Sequence, residues 1–347
     1  MNTADCIANV QSSLAKAGVE TARLDALLLL SDVTGKNKPH LLAHPELELM
    51  PQQQSDLEKL VARRVRHEPL AYIRGKSEFY GREFLVNQHV LVPRPDSETI
   101  IYLLKSSVTQ PARGQASSRS GVFGQEMQII DVGTGSGALA ITARLELPDA
   151  EVYGLDVDPA CLEVAKKNAQ KHSSDVTFLQ SDLLGNLPIT NYQLPITILA
   201  NLPYVPDDYE INQAATHEPK IALFGGPDGL DLYRTLFAHL AGLSNKAITV
   251  FTESLGFQHK ALTEIAEKNG FTLKIHKDLV QVFTKTSKSH LKCFGARHGE
   301  LARLLSRHPT KQVSWGPRLY RQESKQRNSA CRQNWIAEPP SLLTPTP

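Results

Sequence analysis

Apolar positions recur at helical spacing through about residue 70, as Ile7, Val10 and Leu14, then Leu24, Leu27 and Leu28, then Leu57, Leu60 and Val61. Gly35, Pro39, Pro45 and Pro51 interrupt the series, so it predicts a small bundle of three or four helices. The pattern then shortens to stretches around Phe79 to Phe84 and His89 to Val92 and ends in the stiff VPRPD of residues 92–96, which predicts a hairpin connector. Helical spacing resumes at Ser97 to Leu104. The segment near 106–127 is rich in Ser, Gly, Gln and Arg with few apolar residues, and predicts a mobile surface loop.

From Gln128 onward apolar strands alternate with helices: QIIDVGTGSG, ALAITARLEL, EVYGLDVD, PACLEVAKKNAQKH, VTFLQSD, ITILANLPY, and later AITVFTE and LVQVFTK. That alternation predicts an α/β fold with a doubly wound sheet covered on both faces. Ligands of such sheets sit outside the carboxyl ends of the strands, here Asp131 to Gly137, Asp156, Asp182 and Asn201. The pattern divides the chain into a helical domain over 1–78, a connector over 79–96, an α/β domain over 97–287 and a tail over 288–347.

The 347 residues suffice for one large or two ordinary domains. Thirty-eight Lys plus Arg stand against 36 Asp plus Glu, so whole-chain charge gives no argument for a nucleic-acid or membrane partner. The charge is not evenly spread, because residues 288–347 hold eleven Lys or Arg and three Asp or Glu. A disordered basic extension is the plain reading of that tail, and RNA or ribosome tethering the sharper one. Cys6, Cys161, Cys293 and Cys331 lie far apart, without CxxC or Cys/His clustering, which argues against a disulfide framework and a metal site. With no basic start before an apolar stretch and no apolar run of membrane-spanning length, a cytoplasmic protein is expected.

Asp131-Val-Gly-Thr-Gly-Ser-Gly ends an apolar strand and precedes a helix. Glycines there allow a tight turn and close backbone approach to a ligand, and the helix presents free N–H groups. Asp156 closes the next strand nineteen residues after Gly137, where a carboxylate accepts both hydroxyls of a ribose. A dinucleotide competes for such a turn, but the Asp131 carboxylate opposes a pyrophosphate and suits the ammonium of an amino-acid moiety. S-adenosylmethionine fits that charge pattern, with adenosine toward Asp156 and Asp182 and the methionine end toward Asp131. Asp182 could instead cap a turn.

Asn201-Leu-Pro-Tyr follows the strand ITILA. Methylating a planar amide or amine nitrogen requires acceptors for its two N–H bonds, and the Asn201 side-chain oxygen with the Leu202 carbonyl could serve. Pro203 would hold the turn rigid and Tyr204 would stack on the planar group. An ordinary strand-to-loop turn is the competing reading. Arg94 and Asp96 read equally as a structural ion pair or as ligand contacts, and a general base at His217 or Glu218 is disfavoured, since water can take the proton after transfer.

GTGSG at 133–137, LDVDP at 155–159, SD at 181–182 and NLPY at 201–204 follow the order of class I S-adenosylmethionine-dependent methyltransferases of amino groups. With RRVRHEPLAYIRGKSEFYG at 63–81, VLVPRPDSE at 90–98 and HEPKIALFGGPDGLDLYR at 217–234, the chain resembles the release-factor glutamine methyltransferases from about residue 5 to 285. The resemblance implies a class I, Rossmann-like fold and a monomer that methylates the glutamine of a Gly-Gly-Gln tripeptide in peptide chain release factors, with the helical domain recognising that protein. It implies cofactor contacts at Asp131, Gly133, Thr134, Gly135, Ser136, Gly137, Asp156, Asp182, Leu183 and Asn201. The substrate glutamine is expected against Asn201, Leu202, Pro203 and Tyr204. Leu202 replaces the first of the family's two prolines, Leu183 stands where an aromatic residue often follows the Asp, and the tail is foreign to the family. The main alternative is an adenine-nitrogen methyltransferase acting on rRNA or DNA, for which the basic tail is the favouring feature. A catalytically silent binder is the lesser one.

Overall fold

A computed structural model describes residues 1–109, 127–185, 195–243 and 247–286. Most of the loop expected near 106–127, and the whole of the 288–347 tail, lie outside the described residues. The described ends of that loop are regular: a helix continues through Thr109 and a strand begins at Gln128.

Residues 1–76 with 210–218 form one compact unit. Its five helices are α1 (Thr3–Lys16), α2 (Ala22–Thr34), α3 (Lys38–Ala43), α4 (Pro51–Val65) and α5 (Leu70–Arg74). The count exceeds the three or four expected because α3 and α5 span six and five residues, too short for a periodic signal. Cys6, Val10, Leu14, Leu29, Leu30, Leu41 and Leu57 meet in its core. Arg64 on α4 donates to the buried Asp25 on α2 at 2.7 Å, which joins the two helices through an ion pair that is itself largely excluded from water.

The second unit holds the described residues of 77–209 and 219–286. It starts with the hairpin β1 (Lys76–Phe79) and β2 (Arg82–Leu85), closed by Tyr80 and Gly81. Both closing residues have positive φ, as a two-residue primed turn requires. A 3-10 turn at Pro95–Ser97 leads into α6 (Glu98–Thr109), and Glu98 Oε1 accepts the Tyr80 N–H at 2.7 Å, fixing hairpin to helix.

The remaining elements are β3 (Gln128–Val132), α7 (Ala138–Glu146), β4 (Glu151–Asp156), α8 (Pro159–Lys171), β5 (Thr177–Gln180), β6 (Ile196–Ala200), α9 (Asp231–Gly242), β7 (Ile248–Glu253), α10 (His259–Lys268), β8 (Thr272–Lys277) and β9 (Val280–Lys285). The sheet runs β5-β4-β3-β6-β7-β9-β8, parallel except for β9, which is antiparallel to both neighbours. This is the class I methyltransferase fold. β3 and β6 are buried at every position, as central strands with both faces covered must be. The order reverses between β3 and β6, the point at which a doubly wound sheet opens a crevice at its carboxyl edge. Their register pairs Val132 with Ala200, so the chain segments that follow leave the sheet at the same level.

Asn168 on α8 is fully buried and holds two distant segments. Its Nδ2 donates to the carbonyls of Leu85 and Ser136, each at 2.9 Å, and its Oδ1 accepts the Leu85 N–H at 2.7 Å. Replacing it with Ala removes three hydrogen bonds and strands their backbone partners, so Asn168→Ala lowers stability by about 3 kcal/mol, read as a fall in thermal midpoint. A midpoint unchanged from wild type contradicts that role.

Candidate active site

A cavity of about 310 Å³ opens where β3, β4, β5 and β6 end. Gly133, Thr134, Gly135, Ser136, Asp156, Asp182, Leu183, Asn201, Leu202 and Pro203 line it. Residues up to 70 positions apart thus meet because parallel strands deliver their carboxyl ends to one edge. Of the residues expected at the site, Asp131, Gly137 and Tyr204 do not line the cavity.

Asp131 lies beneath the glycine turn and is 1% exposed. Its Oδ2 accepts from Thr134 Oγ1 at 2.7 Å and from the Ala140 N–H at 3.1 Å, while Oδ1 is buried without a hydrogen-bond partner among the described residues. Burial pushes this carboxyl up to about 7, with Thr134 and Ala140 opposing the rise. Gly137 caps α7 at φ 80°, and a Cβ there would come within 2.9 Å of Ile141 and 3.1 Å of Ala165. Its contribution is steric, letting the turn enter the helix. Gly133 has φ 73°, and a Cβ there would meet the Leu202 side chain at 3.2 Å. The two turns therefore pack directly on one another.

Asp156 accepts the Gly135 N–H at 2.9 Å on Oδ2 and the Asp158 N–H at 3.0 Å on Oδ1. Each oxygen keeps a second acceptor direction, which a vicinal diol can use. Burial raises its pKa, and the two backbone donors oppose that shift. Leu183 takes φ 47°, a left-handed conformation uncommon for leucine, and its buried side chain forms part of the wall. Val157, half exposed after Asp156, forms another part. An unpartnered buried carboxylate oxygen, a glycine turn that stays open, a carboxylate with spare acceptor capacity and two apolar walls suit S-adenosylmethionine.

The 201–204 turn is held from below. Asn201 Nδ2 lies 2.8 Å from Ser97 Oγ. The Leu202 N–H donates at 3.3 Å to the fully buried hydroxyl of Tyr233, which reaches the carbonyls of Ala200 at 3.0 Å and Glu253 at 2.5 Å. Tyr204 is 5% exposed, and its hydroxyl donates to Glu253 Oε1 at 3.1 Å. The expected stacking of Tyr204 on a planar substrate group is thus corrected: the ring is turned inward by a buried acceptor 49 residues away in sequence. The string FGGPDGLDLYR supplies the other support. A Cβ on Gly225 would sit 2.3 Å from the Pro203 carbonyl oxygen, and one on Gly229 2.0 Å from that of Tyr204, so only glycine permits the approach.

Arg94, read from the sequence as either an ion-pair partner or a ligand contact, lines the cavity, as do Ser97 and His89, which the sequence did not single out. For Ser97 the signal lay in the PRPDSE string. For His89, whose carbonyl receives the Cys161 thiol, there was none. His217 and Glu218 do not line the cavity, and the His217 ring bonds the Arg66 carbonyl at 2.9 Å.

Comparison with known proteins agrees with this arrangement. Residues 5–75 match the PrmC N-terminal domain and residues 124–205 a methyltransferase domain. The chain is 35% identical over 229 residues to the release factor glutamine methyltransferase of Bacillus anthracis, covering 65% of this chain and 77% of that protein. It is 38% identical over 234 residues to the release factor glutamine methyltransferase of Moorella thermoacetica, covering 66% of this chain and 77% of that one. A bifunctional methyltransferase of Rickettsia felis is 36% identical over 252 residues, 66% of this chain and 47% of that protein, so the match spans about half of that longer relative. With its helical unit, its methyltransferase sheet and this breadth of identity, the chain belongs to the release factor glutamine methyltransferase family.

Proposed function

We propose that this protein transfers a methyl group from S-adenosylmethionine to the side-chain amide nitrogen of glutamine in the Gly-Gly-Gln segment of a peptide chain release factor. The observation that carries the reading is the shared cavity of the β3 glycine turn and the Asn201-Leu202 turn, set side by side by the Val132–Ala200 register. Family membership supports the same substrate.

The cofactor would lie against the 133–136 turn, Asp156, Asp182 and Leu183, with the buried Asp131 charge beneath that turn, and it supplies an electrophilic methyl on a sulfonium. Asn201 Oδ1 and the Leu202 carbonyl would accept the two N–H bonds of the glutamine amide. That grip turns the nitrogen lone pair out of conjugation and toward the methyl carbon, so it strengthens as the transition state forms. Pro203 fixes the turn, and the apolar walls keep water from competing for the methyl group. After transfer the nitrogen carries an extra proton, which is strongly acidic and passes to solvent.

The direct test is transfer of labelled methyl to a purified release factor, beside its Gln→Ala tripeptide variant and ribosomal RNA. Label on the wild-type factor alone supports the proposal, and label on RNA replaces it with the adenine reading. Asn201→Ala is expected to abolish transfer while leaving cofactor affinity within about tenfold, because the lost grip acts mainly in the transition state. Near-normal turnover removes Asn201 from that role. Asp156→Ala is expected to weaken cofactor binding about 10- to 100-fold by loss of two charge-assisted hydrogen bonds, measured by calorimetry. An unchanged affinity moves the ribose elsewhere.

The raised pKa of Asp131 gives a pH signature. Near pH 6 the carboxyl is mostly protonated, and an ammonium beside it favours the ionised form, so binding there releases a proton. Cofactor affinity should therefore rise about tenfold between about pH 6 and about pH 8, with proton release visible in buffers of different ionisation enthalpy. A flat profile excludes contact between Asp131 and the ligand's positive charge.

A further inference from the structure

We propose that Ile221 is a contact residue for the protein substrate, an apolar side chain at the rim of the cavity that packs against the release-factor chain beside the glutamine being methylated. The inference rests on the reading above and says where on the enzyme that chain lies.

Single apolar side chains on a protein surface are ordinary and call for no explanation. Ile221 differs in its place and in its rigidity. Of the large apolar side chains exposed among the described residues, Val157 and Ile221 alone line the cavity, and Ile221 is the most exposed of the whole group at 64%. The backbone beneath it is fixed. Residues 220–222 form a 3-10 turn in which the Ala222 N–H donates to the Pro219 carbonyl at 2.9 Å, and the Phe224 N–H donates to the Lys220 carbonyl at 3.0 Å. That turn is bonded in its own right to the chain leaving the 201–204 turn. Val205 N–H donates to the Leu223 carbonyl and Gly225 N–H to the Val205 carbonyl, each at 2.9 Å. An isoleucine is thus held out in water by the same backbone scaffold that carries Asn201 and Leu202.

Position along the sheet separates Ile221 from the cofactor. In the order β5-β4-β3-β6, adenosine is assigned to the ends of β4 and β5 through Asp156 and Asp182, whereas Ile221 is tied to the chain that follows β6. Neighbouring strands lie about 4.8 Å apart, so the β5 and β6 ends are about 14 Å from one another, with the glycine turn between them. The two exposed apolar residues therefore serve two ligands. Val157 meets the cofactor, and Ile221 meets whatever comes to Asn201 and Leu202. Leu232 on the first turn of α9 and Pro203 also line the cavity and are only partly buried, so with Ile221 they give the incoming chain an apolar flank without charge. A glutamine preceded by glycines fits such a flank, because main chain without Cβ atoms can approach fixed side chains closely. Covering the flank on binding removes apolar surface from water, which favours the complex.

The test compares Ile221→Ala, the conservative Ile221→Val and Val157→Ala with wild type. Each is measured for methyl transfer to a release factor, for cofactor affinity, and for release-factor affinity by calorimetry with S-adenosylhomocysteine at saturation. Ile221→Ala is expected to raise both KM and Kd for the release factor at least about fivefold, with kcat and cofactor affinity within about twofold, as fits a contact made equally before and in the transition state. Ile221→Val should return both constants to within about twofold of wild type, since it keeps most of the apolar surface. Val157→Ala should show the converse, with weaker cofactor binding and an unmoved release-factor Kd. Because the Ile221 side chain is mostly exposed, the thermal midpoints of its variants should match wild type. A release-factor Kd within about twofold of wild type in Ile221→Ala, or a loss of cofactor affinity in its place, overturns the assignment. A wild-type enzyme that neither binds nor methylates a release factor overturns the functional reading, and the assignment with it.

Discussion

The site depends on one register. Because Val132 of β3 pairs with Ala200 of β6, the glycine turn and the 201–204 turn leave the sheet side by side, close enough for a Cβ on Gly133 to touch Leu202. A slip of two residues along either strand would separate them by more than 6 Å while preserving which side chains face each layer. The uninterrupted burial of both strands makes that slip costly, since it would expose one apolar end and bury the turn at the other.

What surrounds this pair serves to hold it still. Asn168 ties the turn side to the hairpin, and Glu253 with Tyr233 ties the other side to β7. The polar atoms that do this are buried and mostly satisfied, so each bond lies in surroundings where leaving a partner unpaired is expensive. The exceptions include Asp131 Oδ1 and Glu253 Oε2, buried carboxylate oxygens without a hydrogen-bond partner among the described residues. Both carboxyls are raised to about 7 by burial.

The order of strands and the residues at their ends were legible in the sequence because a buried parallel strand and the turn after it are local signals. Asp131, the glycines, Asp156, Asp182 and Asn201 all follow an apolar run, and all lie at the edge where such sheets bind ligands. The supports were not legible. Ser97 is separated from Asn201 by 104 positions, and Tyr204 from Glu253 by 49, and a buried serine or glutamate has no periodic signature. Tyr204 was misread for a related reason: an aromatic residue after a site asparagine suggests stacking, and nothing local announces a buried acceptor that draws its hydroxyl inward. The short helices α3 and α5 were missed because five or six residues contain barely one helical repeat.

Leu202 has a consequence of its own. A proline at this point would be stiff by virtue of its ring, whatever lay around it. A leucine is stiff only through its neighbours, and here the Tyr233 hydroxyl receives the N–H that a proline would lack. Two positions 31 residues apart have thereby lost their independence. A substitution that removes the Tyr233 hydroxyl therefore also strands the Leu202 N–H, which a proline at 202 would not have.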